Sequence, residues 1–212
     1  MKRKICYSII TVLLSVAVYA EDSIATVAPD ATVSEAATPK KPKKQIYYGT
    51  QVKFDILSPV LVSGLNHWQM QHYEMAVNVR LAKRFYPTLE LGYAGGKTHN
   101  DSVQYSGRGG FLRVGCDLNP LKKHPESPHA LLVGLRVGTA VQDKGHTDCW
   151  GEIVAGCQVE IAKVNKTAFY MGWMGRFKIL FTRNKQNPIY IPGYGERGNT
   201  SWGADYYLGW RF

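Results

Sequence analysis

The chain has 212 residues, a formal net charge of +10, and a composition that is 45% hydrophobic and 12% aromatic. Beyond its first twenty residues it contains no apolar run of about 18, which excludes a transmembrane helix from that part. The cationic excess would suit nucleic acid, but the export signal described next argues against that partner and leaves anionic lipid or saccharide.

Lys2, Arg3 and Lys4 form a positive leader, and Ile9 to Ala17 is an apolar core too short to span a bilayer as a helix. Val18 and Ala20 supply small residues at −3 and −1, so residues 1–20 read as a signal peptide cleaved after Ala20. Residues 21–44 are rich in Ala, Thr, Pro and Val, lack aromatics, and end in a basic cluster, Lys40, Lys41, Lys43 and Lys44. Such a stretch buries too little surface to fold, so a disordered periplasmic tether is expected. Cys116, Cys149 and Cys157 are expected to be small apolar fillers. Cys149 and Cys157 lie along one extended segment at a distance of roughly 26 Å, too far to pair.

From residue 45 onward the pattern has period two, the signature of strands. The first segment sets Ile46, Tyr48, Val52, Phe54 and Ile56 against Gly49, Gln51, Lys53 and Asp55. The second, Tyr73 to Ala82, opposes Tyr73, Met75, Val77, Val79 and Leu81 to Glu74, Asn78 and Arg80. The third places Leu89, Leu91 and Tyr93 opposite Glu90 and Gly92; the fourth places Leu112, Val114, Cys116 and Leu118 opposite Arg113, Gly115 and Asp117. In the fifth, Leu131, Val133, Leu135 and Val137 face away from Gly134, Arg136 and Gly138. The sixth opposes Ile153, Ala155, Cys157, Val159 and Ile161 to Glu152, Gly156, Gln158 and Glu160. The seventh opposes Phe169, Met171, Trp173, Phe177 and Ile179 to Tyr170, Gly172, Arg176 and Lys178. The last opposes Trp202, Ala204, Tyr206, Leu208, Trp210 and Phe212 to Gly203, Asp205, Tyr207, Gly209 and Arg211.

Every charge placed in a strand shares its side with the glycines, and only Gly175 breaks the rule. A strand surface facing water favours Thr, Lys and Ser and disfavours Gly, which weakens strands. Glycine plus isolated charge fits instead the crowded lumen of an eight-stranded barrel, with the apolar side turned outward to lipid. The expected fold is an all-β, eight-stranded antiparallel up-and-down transmembrane β-barrel over residues 45–212, preceded by the disordered N-terminal segment.

The expected interior network balances. Lys53, Arg80, Arg113, Arg136, Arg176, Lys178 and Arg211 oppose Asp55, Glu74, Glu90, Asp117, Glu152, Glu160 and Asp205. An unpaired buried charge costs several kcal/mol, so a narrow lumen must neutralise itself. Bulky Phe111, Tyr170 and Tyr207 on the same side argue against a pore. Long connections, about Ser58–His72, Gly96–Gly109, Val141–Trp150 and Thr182–Thr200, alternate with shorter ones at Lys83–Pro87 and Lys163–Thr167. That is the outer-membrane habit, although Asn119–His129 is long for an inner turn.

Tyr206, Leu208, Trp210 and Phe212 resemble the closing-strand signature by which bacterial outer-membrane barrels are recognised for assembly. With the leader and eight strands, residues 45–212 resemble the small OmpA/OmpX-type barrels. The stretch Phe85 to Tyr93 makes them more similar still to a family of outer-membrane barrels with no assigned function. The resemblance implies residence in the bacterial outer membrane with periplasmic termini. It implies outer-membrane lipids, lipopolysaccharide among them, and the barrel-assembly machinery as partners.

The leading functional expectation is a non-enzymatic envelope protein with an occluded charged interior that acts through its outer loops. The alternatives are a lipid A-modifying enzyme and a narrow pore. For the enzyme, His67, His72, His99, Asp101, Ser102, His146 and Asp148 lie in or beside the outer loops, but no nucleophile motif marks them. No catalytic residue, metal site or cofactor is expected. Loop cations Lys97, Arg108, Lys144, Arg183, Lys185 and Arg197 are candidates for gripping lipopolysaccharide. The glycine runs at Tyr93–Gly96 and Ser106–Gly110 precede no helix pattern and are expected to be strand ends and turns.

Overall fold

The computed structural model describes residues 46–56, 68–81, 84–100, 103–121, 127, 129–143, 145–165, 167–182 and 190–212. The expected signal peptide, the tether with its lysine cluster, and the loop residues His67, Asp101, Ser102, Lys144, Arg183 and Lys185 lie outside the described residues.

Period-two alternation produces strands throughout. They are β1 (Tyr47–Asp55), β2 (Trp68–Leu81), β3 (Phe85–Asn100), β4 (Val103–Leu118), β5 (Ala130–Gln142), β6 (Thr147–Val164), β7 (Thr167–Leu180), β8 (Tyr190–Ile191), β9 (Gly195–Glu196) and β10 (Thr200–Arg211). Eight of them close a barrel in the order β1-β10-β7-β6-β5-β4-β3-β2, while β8 and β9 pair with each other as a separate two-stranded sheet. Every pairing is antiparallel, and β1 meets β10 to complete the ring.

The registers fix the barrel's size. Stepping from Lys53 through Ala76, Glu90, Arg113, Gly138, Trp150 and Leu180 reaches Asn199, whose carbonyl accepts the Leu180 amide. Lys53 itself pairs with Gly209, so the circuit closes ten residues out of step. For eight strands that shear gives a tilt of about 40° and a backbone radius of about 8 Å, room for side chains and little else.

Glycine, Ala and charge point into this tube, and large apolar side chains point out. Leu135, Ile153, Trp173 and Trp202 are 63%, 50%, 53% and 78% exposed, whereas Arg113, Asp117, Glu152 and Arg136 are 3% or less. Inward glycines are required by their neighbours: a Cβ at Gly138 would overlap the Trp150 indole, and one at Gly92 the Phe111 ring. Gly175 faces outward, where its nearest neighbour would be 3.6 Å away.

Several expectations are corrected. Tyr48 turns inward, half-buried, and Arg80 lies over its ring at 5.8 Å. A bulge between Tyr47 and Thr50, with Gly49 at φ +121°, shifts the alternation by one residue and sends Tyr47 outward in its place. The connections expected to be long are shorter than the hydropathy pattern suggested. β2 begins at Trp68, β3 and β4 pair as far as Asn100 with Val103, and the β5–β6 turn is residues 143–146. The ladder needs backbone groups only, so it continues through Gly-rich, polar sequence that has no apolar side, including the two glycine runs. The lumen is also less uniformly charged than expected. Ala130, Leu132, Val154 and Met174 face inward below the charges, and Ala94, Phe111, Ala140, Trp150 and Leu180 above them. Cys116 and Cys157 are free and half-buried, as fillers would be.

Candidate functional site: the sealed charged lumen

The middle of the lumen is built around three arginines, one each from β4, β5 and β7. Arg113 donates from Nη1 to Glu74 Oε1 at 2.7 Å and Glu90 Oε2 at 2.9 Å, and pairs with Glu152 at 3.0 Å. Arg136 bonds to Glu90 and to Asp117 Oδ2, the latter at 2.9 Å. Arg176 bonds to Asp205, to Glu90 Oε2 at 3.0 Å, to Glu152 Oε2 at 2.9 Å and to Glu74 Oε1 at 3.1 Å. Each of these five carboxylates therefore touches at least one guanidinium. The planar five-donor fork of Arg makes this sharing possible, where a Lys would satisfy fewer acceptors.

The remaining expected network residues lie apart from this centre. Lys178 donates to the carbonyls of Gly193 (2.8 Å) and Tyr194 (3.3 Å), and to no acid among the described residues. Lys53 lies 4.5 Å over the Tyr207 ring and makes no ion pair among the described residues. Nearer the termini, Arg80 lies over Tyr48 and Tyr86, each at 5.8 Å, and Arg211 donates to Glu160 at 3.0 Å. Asp55 is half-buried at the end of β1.

The mouth opposite the chain termini is closed by a segment whose role the sequence did not suggest. β8, β9 and the turn Pro192-Gly193-Tyr194 fold into the barrel, leaving Ile191 and Tyr194 no more than 1% exposed. Tyr194 packs edge-on against Trp150, with ring centroids 5.9 Å apart. Arg113 reaches up to the Gly193 carbonyl at 2.7 Å, tying this plug to the charge layer. Gly193 has φ +73°, and a Cβ there would be 2.6 Å from Phe111, so glycine is required on both counts. Burial raises the Tyr194 phenol above its ordinary pKa, and its hydroxyl donates to Gly198 O at 2.8 Å. Arg197 Nη2 closes the rim on buried Asp148, 2.7 Å away, which also accepts from Gln142.

Residues considered for catalysis go elsewhere. His72 Nε2 lies 3.3 Å from Glu74 Oε2, Asp148 is held by Arg197 and Gln142, and His146 is half-buried in the β5–β6 turn. Of the loop cations, Arg108 pairs with Asp143 at 2.7 Å and Arg197 with Asp148, and the side chains of Lys97 and His99 lie outside the described set. Among the described residues no cluster of three or more His, Cys, Asp or Glu is arranged to hold a metal. The assembly-signature residues Tyr206, Leu208, Trp210 and Phe212 all lie on the outward side of β10 or at its end, with Trp210 edge-on to Phe54 at 5.6 Å.

The arrangement is suited to blocking. A water-sized path along the axis meets, in turn, the plug, a layer of bridged charge, and the Tyr48, Arg80 and Tyr86 group. No curated protein and no solved structure matches the chain. The chain belongs to the family described as a domain of unknown function (DUF6048), whose model matches residues 2–147.

Proposed function

We propose that this protein is an integral β-barrel of the bacterial outer membrane, exported by residues 1–20, with its termini on the periplasmic side. One observation carries the reading. From Trp202 to Phe212 in β10 the outward side chains are Trp, Ala, Tyr, Leu, Trp and Phe, and matching outward runs without Asp, Glu, Lys or Arg occur from Tyr73 to Leu81 and Leu131 to Val141. At about 3.3 Å per residue and the barrel's tilt, the runs are about 20–25 Å tall, close to the apolar band of an outer-membrane barrel. A soluble barrel would have to leave this whole belt in water.

Within that setting the protein is a non-enzymatic envelope component. Its lumen is a rigid core, and its outer connections together with the plug are the surface offered to partners. The belt meets lipid, lipopolysaccharide included, and the Tyr206, Leu208, Trp210 and Phe212 strand is what the assembly machinery would engage. The test is fractionation of expressing cells together with gel mobility before and after boiling. Recovery with outer membranes and a heat-dependent shift are expected; release without detergent would overturn the reading. In planar bilayers the protein should be silent, and steady single-channel conductance would contradict a sealed lumen.

A further inference from the structure

Five buried side chains between the charge layer and the termini have polar atoms that the described chain does not satisfy. They are both amide atoms of Gln51 and of Asn78, Gln158 Oε1, and the hydroxyls of Tyr170 and Tyr207. All five residues are 5% exposed or less. They form one continuous patch of the inner wall. Gln51 and Asn78 are directly opposed across β1 and β2, yet their amides do not bond to each other. A Cβ on Gly209 would meet the Lys53 stem at 3.1 Å and the Tyr170 ring at 3.2 Å, so both side chains lie over that glycine. The Tyr207 phenol lies likewise over Gly172, which pairs with Gln158.

We infer that this patch is a binding site for a small cluster of internal water molecules. The chemistry of the wall selects the ligand. The Gln51 and Asn78 amides each present an unused donor and an unused acceptor side by side, so the occupant must both accept and donate. A metal cation cannot serve the amide donors and would sit beside Lys53. A halide cannot serve the carbonyl and phenol oxygens and would face the carboxylates of Asp55 and Asp205. Where the patch meets the charge layer, Asn78, Tyr207 and Lys53 line, together with Glu90, Arg136 and Arg176, a cavity of ≈ 20 Å³, about the space one water molecule needs. Water held there carries hydrogen bonding from the arginine layer down to the termini, while the lumen stays closed to ions. The inference goes beyond the proposed function and holds wherever the barrel resides.

The sign of a stability change tests it. Asn78→Leu and Gln51→Met are close in size to the native residues and remove one amide each. If water serves these amides, each variant strands the groups that shared it, and the melting temperature falls by about 2–4 °C. If the amides are dry, removing one relieves an unsatisfied group, so an unchanged or raised melting temperature overturns the proposal. Wild-type protein gives an independent readout. Magnetisation transfer from water to the Gln51 and Asn78 side-chain NH₂ groups is expected in NMR, and its absence from assigned, slowly exchanging signals would also overturn it.

Discussion

Arg176 shows how a single residue holds this interior together. Its guanidinium touches Asp205, Glu90, Glu152 and Glu74, one acid from each of four different strands, and is itself only 3% exposed. Bridged charge of this kind is weak evidence for net stability, because taking each ion out of water costs nearly as much as pairing returns. Breaking the set is another matter, since the acids left behind remain buried. Arg176→Met is therefore expected to cost about 3–5 kcal/mol in urea unfolding. Arg176→Lys should recover only part of that, because an ammonium lacks the fork that serves four acids. A loss below 1 kcal/mol for Arg176→Met would mean that the carboxylates are hydrated or share protons in place of the guanidinium. These charges were legible from parity alone, since each lies on the glycine side of its strand. Their partners were not, because Glu74 and Arg176 are 102 positions apart and only the closed ring's register brings them together.

At the scale of elements, strands and plug differ in how the chain encodes them. Strand interiors were legible because alternation is a property of neighbouring residues. Strand ends were not, since the β3–β4 ladder runs on through Gly95, Gly96 and Gly107, where no apolar side marks it. The same reasoning missed the inward Leu132 and Trp150. Their parity with Arg136 and Glu152 pointed inside, but attention to charge passed over apolar residues on the polar face. The plug was hidden for a different reason: its burial depends on a cavity built by distant strands. Arg197 and Asp148 latch it at the rim, and Leu180 N donates to Asn199 O at 3.0 Å where it rejoins the barrel. Arg197→Ala removes the ion pair with buried Asp148, a loss of about 2 kcal/mol. Because the segment can open without unfolding the ring, the loss should be local. Amide hydrogen exchange is expected to speed up at Leu180 and Tyr194 and to stay slow in the middle of β5 and β6; uniform acceleration would mean that the plug and barrel unfold as one unit.

For the whole molecule the question is which solvent the outward side meets, and one substitution separates the answers. Leu135 stands midway along the outward run of β5, 63% exposed, with Val133 and Val137 on either side and Arg136 between them turned inward. If that side meets water, Leu135→Arg adds a charge to a surface position, where changes usually stay within about 0.5 kcal/mol. If it meets hydrocarbon, an arginine at mid-height costs about 2–4 kcal/mol, and the penalty shrinks toward the rims. Arginine scanned along Leu131, Leu135 and Val141 should therefore give a profile that peaks at Leu135 when the protein is folded in lipid vesicles. The scan also controls for packing, because the three positions share one strand and one face. A flat profile would remove lipid as the outward solvent, and the exposed belt would then have to be covered by protein.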